Sequence, residues 1–318
     1  MRRLSALILA ALSGGAASAA PTLFGVDAFT QTLVRINATT GYVVEVGIVN
    51  LGPGTGFVTD LASDGGRLFA LTSVYPNGAF VGEVNPASGA AMTSAQVTVD
   101  GVNAVNAIEG LAIDADGRLI ISLWRSDAAN VSSSNTLGSI ALTGQVSGLV
   151  SFGAGADFDG LGSDPDGDMV GLDRTPNVDV RFHNVSYASS TSSLIGAVPI
   201  PGSIDLVDDC AVLGGDIITL DRDLKRLTRH NRANGAPISF VNYTASHSIY
   251  MLTVVDVCLG DVDGDGFIGF ADLNQALGAF NTTNGQPAYN GAADLDIDGD
   301  VDFADLNLLL SGFNTPCP

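Results

Sequence analysis

The sequence predicts a mainly β fold, a five-bladed β-propeller with six blades as the alternative, followed by a small α-helical domain. Three observations predict it. Units of about 45–50 residues, each reading as four short strands, recur along most of the chain. The first and last of these units are incomplete in complementary ways, so joining them would close a ring. Near the C-terminus a twelve-residue acidic pattern occurs twice, 33 residues apart, and each copy runs on into a helical period.

In chain order, the N-terminus reads as an export signal over residues 1–19. Arg2 and Arg3 supply the positive charge, residues 4–12 the apolar run, and Ala17-Ser18-Ala19 the small-residue cleavage site, with the cut after Ala19. No later stretch approaches the roughly 20 apolar residues of a membrane-spanning helix, so the mature chain is expected to be secreted without a transmembrane anchor. The formal charge of −21 makes double-stranded nucleic acid a poor partner.

Residues 20–257 carry the repeat. Apolar first strands read at 57–63, 107–114, 158–164, 204–213 and 249–255, and second strands at 67–72, 118–123, 168–173 and 216–221. Between them lie Asp64-Gly65-Gly66, Asp114-Ala115-Asp116-Gly117, Asp164-Pro165-Asp166-Gly167 and Gly214-Gly215, which are hairpin turns by composition. Asx side chains and Gly suit that backbone, so these acids are read as turn formers and not as a metal loop. Third strands carried in stretches such as 33–41 and 80–89, and fourth strands such as 42–49 and 194–198, complete the units. The chain enters on a second-strand sequence, Leu23-Phe24-Gly25-Val26-Asp27, and the last unit stops after a first strand. The last strand is therefore expected to complete the first blade.

Innermost strands line a propeller's channel, and their entries carry Asp60, Glu109, Asp159 and Asp205. These acids are candidates for a cation or sugar site, weighed against the reading that they bond backbone amides at the channel mouth and stay solvated. The phrase Ile108-Glu109-Gly110-Leu111-Ala112 resembles the strand entry of calcium-dependent lactonase propellers. A basic cluster of Arg222, Lys225, Arg226, Arg229, His230 and Arg232 reads either as a patch for a glycan or other anionic ligand or as a solubilising charged strand paired with nearby Asp. Strand alternation places Arg226, Thr228 and His230 on one face and Lys225, Leu227 and Arg229 on the other. Cys210 is expected to be a buried free thiol. No Gly-x-Ser-x-Gly, zinc spacing or nucleotide fingerprint occurs.

Residues 258–318 hold ten Asp and no Lys, Arg or Glu. The first loop places Asp261, Asp263, Asp265 and Asp272 at positions 1, 3, 5 and 12, with Gly266 at 6 and the backbone of Phe267 at 7. The second places Asp294, Asp296, Asp298 and Asp305 likewise, with Gly299 at 6, and adds Asp300 and Asp302 at 7 and 9. Alternating carboxylates around a glycine turn are what an oxygen cage for Ca²⁺ requires. Leu273, Leu277 and Phe280 match Leu306, Leu310 and Phe313 as one apolar helix face, and Asn274/Asn307 and Asn281/Asn314 match too. So many like charges would oppose folding without a cation.

Asp in place of the usual Glu at position 12, the duplication and the missing entering helix resemble the dockerin family, an EF-hand-like module that binds cohesins. The resemblance implies two Ca²⁺ ions and a cohesin-like partner. It implies contact residues at loop positions 10 and 11, Phe270-Ala271 and Phe303-Ala304, identical in both halves and so permitting two partner orientations. Packing of these Phe into the module's own core is the alternative. Cys258 and Cys317 bracket the segment and are expected to pair. The functional expectation is a secreted, noncatalytic binding and assembly protein. The alternative is a secreted carbohydrate-active enzyme or lactonase working in the propeller channel.

Overall fold

The computed structural model describes residues 19–53, 56–74, 78–103, 108–123, 136–152, 158–164, 166–175, 179–199, 207–244 and 246–317. The predicted signal segment lies outside the described residues except for Ala19, and Asp205 lies outside them too. Strands β1 (Ala19–Asp27), β2 (Thr32–Ile36) and β3 (Val43–Ile48) open the fold. They are followed by β4 (Phe57–Asp64), β5 (Arg67–Val74), β6 (Gly78–Val84) and β7 (Ala95–Gln96), then the short β8 (Thr98–Val99) and β9 (Val102–Asn103). The third group is β10 (Ile108–Ile113), β11 (Leu119–Leu123), β12 (Thr136–Ile140) and β13 (Gln145–Ser151). The fourth is β14 (Phe158–Ser163), β15 (Met169–Thr175), β16 (Asp179–Ser186) and β17 (Thr191–Pro199). The fifth is β18 (Val207–Leu213), β19 (Asp216–Asp221), β20 (Arg226–His230) and β21 (Pro237–Asn242), after which β22 (Ile249–Cys258) returns to the start.

These strands make a five-bladed propeller. Four blades read β4-β5-β6-β7, β10-β11-β12-β13, β14-β15-β16-β17 and β18-β19-β20-β21, and β8 and β9 extend the second of these along the edge of β13. The fifth blade has the order β22-β1-β2-β3, so the last strand closes the ring as its innermost member. Each inner strand touches the next around the circle, from β22 to β4, β10, β14, β18 and back to β22.

Second strands are buried on both faces, which explains their near-continuous apolar runs such as Leu119–Leu123. Outer strands such as β21 are largely exposed. The core is divided among five clusters, each lying between neighbouring blades. A sixth cluster, centred on Val262, Ile268, Ala276, Ala293, Val301 and Leu309, belongs to the C-terminal segment alone.

That segment contains helices α1 (Phe270–Ala279) and α2 (Phe303–Ser311). Cys258 and Cys317 form a disulfide that joins its ends. The helix face differs in part from the expected one: Leu273, Leu306 and Phe313 pack against the core as expected. Leu277 and Leu310 are about half exposed, and the buried positions are Asp272, Ala276 and Ala279 in α1 and Asp305 and Leu309 in α2. The position-12 carboxylate sets this orientation: it must turn back into its loop, so residues four and seven further on face inward with it. Among the described residues no helix is long and apolar enough to cross a membrane.

Candidate metal centre

Both loops fold around their first and last acids. In the first, Asp261 Oδ1 accepts from the amides of Gly264 (2.8 Å) and Asp265 (3.1 Å), and Oδ2 from Gly266 (3.1 Å). Asp272 Oδ1 accepts from Val262 (2.8 Å) and Asp263 (3.2 Å), while Oδ2 accepts from Gly269 (2.7 Å). In the second loop, Asp294 accepts from Asp298 (3.2 Å) and Gly299 (3.0 Å), and from the Tyr289 hydroxyl at 2.6 Å. Asp305 repeats the part of Asp272, accepting from Leu295 (2.6 Å), Asp296 (3.4 Å) and Asp302 (2.7 Å). The position-6 glycines, Gly266 at φ 87° and Gly299 at φ 103°, occupy backbone that side chains disfavour, which is why the sharp turn falls there.

The two units support each other crosswise. Phe267–Ile268 pairs with Thr315–Pro316 beyond α2, and Asp300–Val301 pairs with Thr282–Thr283 beyond α1. Asn281 and Asn314, the matched asparagines, end the helices in left-handed conformations (φ 59° and 63°). Their amides donate to Val301 and Ile268 respectively, both at 2.7 Å.

Carboxylate oxygens of Asp261, Asp263 and Asp265 lie within 4.8 Å of one another, as do those of Asp294, Asp296 and Asp305 and of Asp300, Asp302 and Asp305. Asp272 and Asp298 stand beside these groups and not in them. Burial, followed by the charges of Asp305, Asp298, Asp294 and Asp302, pushes the Asp296 carboxyl up to about 6. Asp261, Asp263, Asp294 and Asp300 are raised too, each first by burial. Asp296 Oδ1 is buried with no hydrogen-bond partner. All-oxygen donors, crowded like charges and one orphaned buried oxygen fit a hard divalent cation.

Phe270 and Phe303 do not enter the core. They are 73% and 71% exposed, standing edge-on to Phe313 (5.1 Å between centroids) and Phe280 (5.0 Å). Phe267 is 39% exposed at the start of its short strand, and Ala271 and Ala304 are exposed beside the Phe pair.

The channel acids are arranged differently from the expectation. Each first strand from β4 to β18 carries a bulge just before its inward turn. The bulges make Asp60 equivalent to Gly110, Gly160 and Asp209; Glu109 and Asp159 fall one residue earlier. The side chain of Glu109 lies outside the described residues, and Asp159 is half-buried. Asp60 and Asp209 are fully buried. Asp60 accepts from the amides of Leu61 (2.6 Å) and, on the next inner strand, Leu111; Asp209 accepts from Cys210 (2.7 Å) and Leu252 (2.8 Å). They bond amides as the plainer reading expected, but away from solvent. Asp209 was missed, though counting four residues back from the residue that enters each hairpin turn (Asp64, Asp114, Asp164, Leu213) locates it.

The basic cluster is neutralised in place. Arg229 pairs with Asp216 (2.6 Å), Arg232 with Asp164 (2.6 Å) and Arg226 with Asp221 (3.6 Å). Lys225 donates to the His247 carbonyl (2.8 Å), and Arg222 lies 4.1 Å over the Tyr250 ring. A register shift between Arg229 and His230 breaks the alternation, so His230 is buried with Leu227 and meets Thr219 at 2.9 Å. The anionic-ligand reading of this cluster loses its support. The Asp-rich turns behave as expected, with Asp114 and Asp164 each accepting from amides two and four residues on. Cys210 is a buried free thiol.

No family model matches the chain, and no curated protein matches it. Among solved structures it is similar to one titled as a nidogen/laminin complex, at 11% identity over 74% of this chain and 98% of that one, with a TM-score of 0.47. It is also similar to a glutaminyl cyclase from Myxococcus xanthus, at 17% identity, 64% and 71% coverage and a TM-score of 0.40. A PQQ-bound aldose sugar dehydrogenase from Streptomyces coelicolor gives 12%, 76%, 85% and 0.42 in the same order. These likenesses concern architecture and extend no further.

Proposed function

We propose that the chain is a secreted, noncatalytic binding and assembly protein whose residues 258–318 form a dockerin-like module with two Ca²⁺ sites. Asp261, Asp263, Asp265, Asp272 and the backbone of Phe267 would hold one ion. Asp294, Asp296, Asp298, Asp300, Asp302 and Asp305 would hold the other. Bound Ca²⁺ supplies the positive charge that ten carboxylates lack. The observation that carries the reading is the pair of matched loop–helix units, with clustered oxygens and the orphaned Asp296 Oδ1.

Each loop aims its helix so that an apolar stripe faces solvent: Phe270 and Leu277 on α1, Phe303 and Leu310 on α2. A paired stripe of this kind suits a cohesin-like protein partner, with the propeller as the delivered binding platform. Catalysis in the channel would draw on Asp60, whose oxygens are committed to the Leu61 and Leu111 amides.

Calorimetry on the full, metal-stripped chain should count two Ca²⁺ ions; fewer would refute the paired sites. The double variant Phe270→Asp/Phe303→Asp should still take up two ions yet lose calcium-dependent capture of its secreted partner. Undiminished capture would remove the stripe from the proposal.

A further inference from the structure

The second loop does not hang free of the propeller: it lies on β2 and β3. Arg35, within β2, is buried, and its Nη2 donates to the carbonyls of Gly291 and, at 2.5 Å, Asp294. The Asn37 amide makes longer approaches to the carbonyls of Asp296 (3.4 Å) and Ile297 (3.5 Å). Tyr42 packs on Gly299, and a Cβ on Gly291 would overlap the carbonyl oxygen of Glu45. The first loop makes a smaller contact, Gly264 against Asn85.

A buried guanidinium is costly unless compensated. Compensation for Arg35 comes from the charges of Asp294 and Asp305, although its Nε has no partner. Arg35 bonds main-chain carbonyls and not carboxylates, so it engages the shape of the loop and leaves the acids facing the cage. That shape is demanding. Ile297 sits at φ 57°, a conformation β-branched residues rarely adopt. Six carboxylates crowd residues 294–305. With no cation among them, their repulsion opposes the conformation that brings these carbonyls to Arg35.

We propose that Arg35 couples cation occupancy of the second loop to seating of the helical segment on the propeller. The loop seats when filled. When emptied it comes away from β2, opening the cleft of about 640 Å³ that lies between the segment and Arg67, Glu83 and Asp256. Linkage is reciprocal, so the seat in turn raises the affinity of the second loop. The inference rests on the two-ion reading above.

The test uses the full chain, with small-angle scattering and limited proteolysis in calcium and in chelator, beside a calorimetric ion count. Gly291→Ala blocks the seat without altering charge and lies outside the propeller; Arg35→Gln removes the anchor. The wild type should be compact and protected with calcium, and expanded and cleaved near residues 257–262 with chelator. Both variants should stay expanded in calcium, binding one ion as the wild type does and the other about tenfold or more weakly. Chelated wild type with the calcium-loaded scattering profile, or variants that titrate and scatter like wild type, would overturn the coupling. A wild type that takes up no ion would overturn the two-ion reading itself.

Discussion

Asp60 and Asp209 occupy equivalent positions on β4 and β18, and each carries its acid to an amide of the following inner strand. Burial first, and then the charge of Asp209, hold the Asp60 carboxyl well above the usual range, against the pull of the Leu61 and Leu111 amides. The folded protein therefore keeps a proton that the unfolded chain releases. Stability from this source is full below the ordinary carboxylate pKa and declines as pH rises through the raised one. Asp209→Asn removes the neighbouring charge, so its melting temperature should fall less steeply than wild type as pH rises above the ordinary carboxylate range, from a lower starting value because the Cys210 or Leu252 amide loses its acceptor. Parallel melting curves would exclude the pair as the cause. Asp60→Ala leaves the Leu111 amide unsatisfied and should cost roughly 1–3 kcal/mol at pH 5. The type of residue was legible in the sequence and its register was not: a bulge adds a residue that alternation cannot see, so Glu109 and Asp159 fall one residue short of the positions that Asp60 and Asp209 occupy, while Asp205 lies outside the described residues.

At the scale of elements, the duplicated loops were the most readable part of the chain, because carboxylate spacing, glycine turn and helix start all fall within a dozen consecutive residues. The helix face was less so. Counting apolar residues favours Leu273, Leu277 and Phe280; Leu273 does pack against the segment's core, but the closing acid fixes the orientation, burying Ala276 and Ala279 and leaving Leu277 half exposed. The contrast between neighbours on α2 tests this. Leu309 is fully buried and Leu310 is 51% exposed. Leu309→Ala should destabilise the helical segment by roughly 2–5 kcal/mol, and Leu310→Ala by little. Equal losses in denaturant titrations would mean that Leu310 is packed as the apolar count suggested. Basic residues on and around β20 were legible as a cluster, and so was pairing with nearby Asp, since Asp221 and Asp216 lie on the neighbouring strand β19; Asp164, the partner of Arg232, comes from another blade and was beyond the reach of local sequence.

For the whole molecule, the blade count followed from the incomplete first and last units, and β22 supplies what β1 lacks. It pairs with β1 from Ala19–Cys258 through Asp27–Ile249 and also touches β4 and β18, so the ring joins here. The same strand ends at Cys258, where the helical segment and its disulfide begin. Two truncations of the mature chain separate these roles. Ending the chain at Ser248 removes β22, leaves the first blade with three strands, exposes the inner edge of β1 and strips β4 and β18 of the neighbour they pack against. No folded propeller should form, because buried strand edges have no substitute partner. Ending it at residue 258, with Cys258→Ser, keeps the closing strand and removes only the helical segment and its separate core. That chain should retain a cooperative β-sheet melt, lose its response to calcium and expose Arg35. If the shorter chain melts as cooperatively as the longer one, β22 is dispensable and the ring is held by its other blades. If neither folds, the helical segment is part of the propeller's stability, and the docking surface around Arg35 is where that dependence would lie.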